Sequence, residues 1–194
     1  MIKSVLRQHF LAQRRALSTE DVASQSRAII ERLFETFLAD TEKPTTIHTF
    51  LPIARQNEVD TWPIIRRIQQ DFPNVQVAVP VTDTTVNQLT HFILTPETLL
   101  IENQWGILEP ESGSCPVVGS QQIDMVLIPL LAFDTLGHRV GYGKGYYDRF
   151  LAECRPDCLK AGLSLFEPVE QIGDVEPTDV RLDACVTPER VCFF

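Results

Sequence analysis

A three-layer α/β/α fold with a mostly parallel, Rossmann-like sheet is what this sequence predicts, on three observations. Helical and strand patterns alternate along the chain, the signature of helices covering a sheet. Asp124–Ile128 is an unbroken apolar run after its first residue, as expected for a strand buried on both faces. That run leads through Pro129 and a polar turn into three alternating glycines, Gly141, Gly143 and Gly145, and then into a new helical pattern. In such folds ligands bind beyond the carboxyl ends of the strands, where this turn would lie. A chain of 194 residues, 44% apolar, is read as one domain over 1–194, since no linker, repeat or low-complexity tract divides it.

The elements follow in order. Ile2, Val5, Leu6 and Phe10 have helical spacing. On the same helix Lys3, Arg7 and Arg14 fall within about 40° of one another, a basic stripe beside an apolar one. Ser18 to Asp21 reads as a capping box, starting a long second helix whose apolar face is Val22, Ile29, Ile30, Leu33, Phe34, Phe37 and Leu38. The β-branched run from Thr45 to Leu51 predicts a strand. Asp60 and Pro63 open a helix carrying Ile64, Ile65 and Ile68. Val75–Pro80 predicts a short strand ending at proline, and His91–Leu94 another. Pro96 to Gly119, rich in Pro, Gly, Glu and Ser, reads as surface loop. Tyr146 to Cys154 continues the glycine turn as a helix, and Lys160–Ser164 and Ala184–Thr187 predict two late strands.

Seventeen basic residues against 26 acidic ones leave a net charge of −9, which argues against nucleic acid or anionic lipid as a partner. Five cysteines without a Cys-x-x-Cys spacing read as reduced thiols of a cytoplasmic protein. The first residues carry charges and no apolar core of a secretory signal, and no segment has transmembrane length.

The glycine turn concentrates the chemistry. Glycine permits close backbone approach, so successive N–H groups can converge on an anion at a helix start. Lys144 adds a mobile positive charge, and Asp148 lies one helical turn beyond it, placed to hold Mg2+ through oxygen. A Walker A loop is excluded, because His138 stands where its first glycine belongs and Gly145 where its Ser or Thr belongs. The dinucleotide fingerprint fails too, with Tyr146 at the third glycine position. A turn that only reverses the chain needs neither the lysine nor three glycines. The loop therefore predicts a nucleotide-phosphate cradle.

The segment Gly137–Asp148, His-Arg-Val-Gly-Tyr-Gly-Lys-Gly-Tyr-Tyr-Asp after its first glycine, resembles the signature of the 5-formyltetrahydrofolate cyclo-ligase family. The likeness runs over nearly the whole chain. Lys3 and Arg7 resemble a Lys-x-x-x-Arg pair, Arg14-Arg15 a second basic cluster, and Glu58–Thr61 a Glu-hydrophobic-x-Thr motif. Trp105–Pro110 resembles an aromatic-Gly-Ile-x-Glu-Pro element, and Asp179–Asp183 followed by Val186–Pro188 a carboxylate segment near the end. Two departures stand out: Phe50–Glu58 is longer than in relatives, and Thr178 replaces a common histidine.

The resemblance implies ATP- and Mg2+-dependent cyclisation of 5-formyltetrahydrofolate to 5,10-methenyltetrahydrofolate, by a monomer that uses ATP as co-substrate. Gly141, Tyr142, Gly143, Lys144 and Gly145 would cradle the phosphates through their amides, with Tyr146 and Tyr147 beside them or packed in the core. Lys144 and Arg139 would neutralise the transferring group, and Lys3 and Arg7 would close the site from the first helix. Asp148 and Asp179 would hold the metal, although for Asp148 pairing with Arg149 or Lys144 is a rival role. Glu58 would bond the folate, or merely sit as a charge at a helix start. Trp105 would stack on the pterin or aminobenzoyl rings, with Leu51 or Ile53 lining the same pocket or simply belonging to the core. A kinase or other ATP-dependent transferase using the same cradle is the competing enzyme class, and a non-catalytic nucleotide- or folate-binding regulator the competing non-enzyme. His138 reads as an ordinary solvated turn histidine.

Overall fold

The fold is described from a computed structural model, which covers residues 1–39, 44–103, 106–111 and 113–194. Its centre is the apolar run recognised in the sequence, β7 (Met125–Pro129). Residues alternate across a strand, so Met125 and Leu127 pack on one side while Val126 and Ile128 pack on the other. Parallel neighbours flank it: β1 (Thr46–His48) and then β2 (Gln76–Asp83) on one side, β10 (Leu159–Leu163) and β11 (Ala184–Val186) on the other. Antiparallel strands finish the eight-stranded sheet, with β3 (Gln88–Leu94) and β6 (Val117–Val118) at one edge and β12 (Val191–Phe193) at the other.

Two helices cover one face. α2 (Thr19–Phe37) starts at the expected capping box, where Ser18 N–H donates to Asp21 and Asp21 N–H donates back to Ser18 Oγ, both at 3.1 Å. Its Ile29, Ile30, Leu33 and Phe34 join Ile64, Ile65 and Ile68 of α3 (Trp62–Asp71) against Ile47, Val77, Met125 and Leu127. The opposite face is covered by α4 (Tyr146–Glu153), through Phe150 and Leu151. α1 (Lys3–Ala16) lies at the strand ends, on the small hairpin β8 (Ala132–Phe133) and β9 (Arg139–Val140), with Leu6 and Phe10 against Leu131, Ala132 and Val140.

The chain leaves β1 through α3 to one side and leaves β7 through α4 to the other. The loops after β1 and β7 therefore part, which makes the crevice where a doubly wound sheet holds its ligands.

Several expectations change. Pro96 to Gly119 is not all loop: β4 (Leu100–Glu102) pairs with β5 (Leu108–Pro110), and β6 joins the main sheet. Short strands interrupted by turn residues carry too little periodicity to read. β2 runs through Pro80 to Asp83, because β1 has ended at His48 and no strand on that side needs the missing N–H. Ile2 and Val5 lie exposed, whereas Leu6, Phe10 and Arg14, spaced by four, form the buried stripe of α1. β12 was not foreseen. Among the described residues no helix is long and apolar enough to cross a membrane.

Candidate functional site: a phosphate cradle beside a buried carboxylate

The hairpin after β7 is braced from below. Asp134 is fully buried and accepts N–H bonds from His138 (2.9 Å), Leu136 (3.0 Å) and Ile172 (3.0 Å), while the His138 ring contacts it at 3.0 Å. Burial alone would raise the Asp134 pKa, but these donors outweigh it and the pKa falls. His138 is thereby a brace rather than a free base.

Above the brace the chain crosses Gly141 to Gly145 into α4. Gly143 has φ +87° and Gly145, the helix N-cap, φ +69°, both in the left-handed region. A Cβ on Gly143 would come within 3.0 Å of the Arg7 guanidinium, so the missing side chain is what lets Arg7 lie on the loop. Arg7 Nε donates to the Gly141 carbonyl at 2.9 Å. Among the described residues, none of the N–H groups from Gly141 to Asp148 donates to a protein acceptor. Free donors at a helix start are an anion site by construction.

These groups line a cleft of about 720 Å³, closed on the far side by α1 and by residues 176–180. Lys3, Arg7, Arg139, Gly141 to Tyr147, Asp148 and Asp179 all border it, as the sequence led one to expect. Their pairing differs from expectation. Asp148 bonds neither Arg149 nor Lys144 but Arg139, at 2.6 Å, and also accepts the Val180 N–H at 3.2 Å. The Arg139 side chain is 7% exposed and also donates to the Val180 carbonyl, so this cation anchors the floor of the cleft. Asp179 pairs with Lys3 at 2.5 Å. Burial opposes its ionisation, but Lys3 and the Glu176 N–H prevail and lower its pKa. The Lys144 ammonium forms no ion pair among the described residues.

A second, narrower niche opens at the ends of β1, β7 and β10, among Phe50, Glu58, Leu130, Leu163 and Phe166. Asn57, in the left-handed region at φ 51°, donates to the Arg14 and Leu17 carbonyls (3.0 Å each) and so turns Glu58 inward. Glu58 is 5% exposed; it accepts the Ile53 N–H at 2.8 Å and the Tyr142 hydroxyl at 2.7 Å. Burial raises its pKa, while Ile53, Arg14 and Tyr142 only partly offset that. Arg14 in turn donates to the Tyr142 hydroxyl, and its guanidinium stands 5.5 Å from the Tyr142 ring centre. The charge at the start of α3 is Asp60, whose carboxylate accepts the Trp62 N–H at 3.1 Å, so Glu58 does not serve that helix.

Other expectations divide. The Tyr142 side chain turns away from the glycine loop toward Glu58. Tyr147 packs near His48 and Phe150, its hydroxyl buried without a partner among the described residues. Tyr146 carries the Arg149 guanidinium at 5.5 Å. Leu51 is buried in the core under α2 and α3 and does not line the niche, whereas Phe50 belongs to that core and borders the niche as well. Ile53 contributes its backbone N–H. Trp105 lies outside the described residues. Arg14 and Phe50 were missed as site residues; the spacing of Leu6, Phe10 and Arg14 was the available signal, because a cation on an apolar stripe requires an inward partner.

Fold and cleft together define a doubly wound α/β protein that presents a glycine cradle to an anionic ligand, with a buried carboxylate alongside. The chain belongs to the 5-formyltetrahydrofolate cyclo-ligase family, whose model matches residues 1–188. It is 30% identical over 196 residues to a 5-formyltetrahydrofolate cyclo-ligase of Mycoplasma pneumoniae, covering 97% of this chain and 100% of the relative. A cyclo-ligase of Escherichia coli K12 is 30% identical over 151 residues, 75% of this chain and 79% of the relative. The solution structure of the 5,10-methenyltetrahydrofolate synthetase of Aquifex aeolicus superimposes with a TM-score of 0.80 at 28% identity, covering 100% of this chain and 93% of that one.

Proposed function

We propose that this protein catalyses the ATP-dependent closure of 5-formyltetrahydrofolate to 5,10-methenyltetrahydrofolate, releasing ADP and phosphate, on a single cytoplasmic domain acting as a monomer. The observation that carries the reading is the run of N–H groups from Gly141 to Asp148, without acceptors among the described residues, bordering a cleft beside the Glu58 niche. A formamide oxygen is a poor leaving group. The reaction therefore begins with its attack on the γ-phosphorus of ATP, which breaks the bond to ADP and makes an imidate phosphate. N10 then adds to the activated carbon, loses its proton, and phosphate departs with the former formyl oxygen as the ring closes. Such chemistry needs positioning and charge neutralisation rather than a protein nucleophile.

The loop amides would hold the polyphosphate, Arg7 and Lys3 would close over it, and the unpaired Lys144 would follow the transferring phosphoryl group. Arg139 would fix Asp148 in place. Asp148 and Asp179 border one cleft, and two carboxylates beside phosphate oxygens suit Mg2+, which completes its shell with water and substrate. When bound, that ion would offset phosphate charge. Glu58 would accept hydrogen bonds from the folate. The test is the rise in methenyl absorbance with ATP, Mg2+ and 5-formyltetrahydrofolate together, and none when ATP is left out. ADP formation with another acceptor, and none with the formyl folate, would move the protein to a different transferase class.

A further inference from the structure

Arg14 poses a problem that the reaction does not answer. It is 3% exposed, lies in an apolar wall with Phe50, Leu163 and Phe166, and its Nε has no hydrogen-bond partner among the described residues. A buried guanidinium with an idle donor is unfavourable unless something else uses that donor. The niche it faces has room for about 10 Å³, no more than a water molecule, and the Tyr142 hydroxyl already occupies the Arg14 and Glu58 heads, so no ring meets both while Tyr142 stays where it is. Tyr142 is 40% exposed and flanked by glycines, with open space where a Gly141 Cβ would stand. Arg7 holds the backbone on either side, lying on Gly143 and bonding the Gly141 carbonyl at 2.9 Å, so it is the Tyr142 side chain that is free to swing.

One hydroxyl meets both charges: it accepts from Arg14 and donates to Glu58 at 2.7 Å. The lactam edge of a 2-amino-4-oxopteridine offers the same pair on adjacent atoms, a C4 carbonyl oxygen that accepts and an N3–H that donates. Building on the cyclo-ligase reading, we propose that Tyr142 is an internal occupant of the pterin lactam subsite, that the folate displaces it, and that Arg14 reads the 4-oxo group. Arg14 is then a specificity residue for 4-oxo over 4-amino pteridines, and Tyr142 sets how tightly the folate must bind to enter. The spare Nε is available to the ligand once the hydroxyl leaves.

The test measures binding without ATP, by calorimetry, of 5-formyltetrahydrofolate and of its 2,4-diamino counterpart to wild type, Arg14→Met and Tyr142→Phe. Wild type is expected to prefer the 4-oxo ligand by about tenfold or more, the order of one charge-assisted hydrogen bond. Arg14→Met should erase most of that preference by weakening the 4-oxo ligand alone, with ATP affinity unchanged. Tyr142→Phe should bind the 4-oxo folate several-fold more tightly. Equal losses for both ligands in Arg14→Met, or a preference that survives it, overturn the role of Arg14. Unchanged or weaker folate binding in Tyr142→Phe overturns that of Tyr142. If Arg14→Met gives no cooperative melt, Arg14→Lys, with one donor head in place of the fork, is read by the same ratio. A wild type that binds neither folate refutes the parent reading, whereas one that binds both alike refutes only this inference.

Discussion

The two walls of the site are built on opposite principles. Among the described residues the glycine wall offers backbone: N–H groups with no protein partner, a lysine without a counter-ion, and no side chain at Gly143 so that Arg7 fits. The Arg14–Tyr142–Glu58 wall offers side chains already bonded to one another, with Arg14 and Glu58 buried beneath a half-exposed Tyr142. An exposed backbone cradle costs little to leave unfilled, because water serves its donors. Buried charges in an apolar niche have no such recourse and need a protein stand-in. In the proposed reaction the first wall would take an anion of any shape, and the second a ring of one hydrogen-bonding pattern.

The sharpest way to break this contrast is Lys144→Ala. It should lower turnover by about a hundredfold or more while leaving the melting temperature nearly unchanged, since the ammonium supports nothing in the fold. Wild-type turnover in that variant would remove the lysine from the mechanism. Gly143→Ala comes next. The left-handed φ costs on the order of 1–2 kcal/mol and the new Cβ pushes Arg7 aside, so the KM for ATP should rise while folate affinity holds. Equal changes in both constants would mean that the walls are not separate.

The support beneath the glycine wall sets a pH dependence. His48 and His91 are buried, 3.1 Å apart, and packed on Phe150 of the helix that follows the loop. Burial, with the His91 ring adding to it, lowers the His48 pKa well below its usual value, and burial lowers His91 to about 4. The folded pKa is depressed, so the stability from keeping the pair neutral is present above about pH 6.5. It is lost as pH falls toward 4, by about 1.4 kcal/mol per pH unit for each ring and so on the order of 3 kcal/mol for His91 alone. Urea melts between pH 8 and 5 should show the decline, and a His91→Phe variant should flatten it; a wild type with flat stability over that range would show that the pair is not held neutral by the fold. The smallest effect is a control outside both walls. Ser18→Ala should cost about 1 kcal/mol through the lost cap and leave both ligand constants alone.

The same contrast explains what could be read from the amino acids. The sheet centre, the capped second helix and the glycine cradle rest on local patterns: a continuous apolar strand, a Ser–Asp spacing, glycines next to a lysine. Each was legible. The second wall joins residues 14, 58 and 142, and no local pattern links them. Glu58 came only through family likeness, and for Tyr142 only the backbone amide was given a place, since a strand-to-helix loop does not reveal which way an exposed ring turns. Asp148 was matched to neighbours in sequence, whereas its partner Arg139 reaches it across the hairpin. The strands between 100 and 118 are too short for periodicity to mark them.

α1 touches both walls, with Arg7 on the cradle and Arg14 in the niche. An α-helix rises about 1.5 Å per residue, so those seven positions make a rigid spacer of about 10 Å between the two walls. The separation of the walls, and of the substrates proposed for them, is thus set by a count of residues rather than by any contact between ligands. One residue added between Arg7 and Arg14 would swing the latter by about 100° and uncouple the halves, however well each still bound its own ligand.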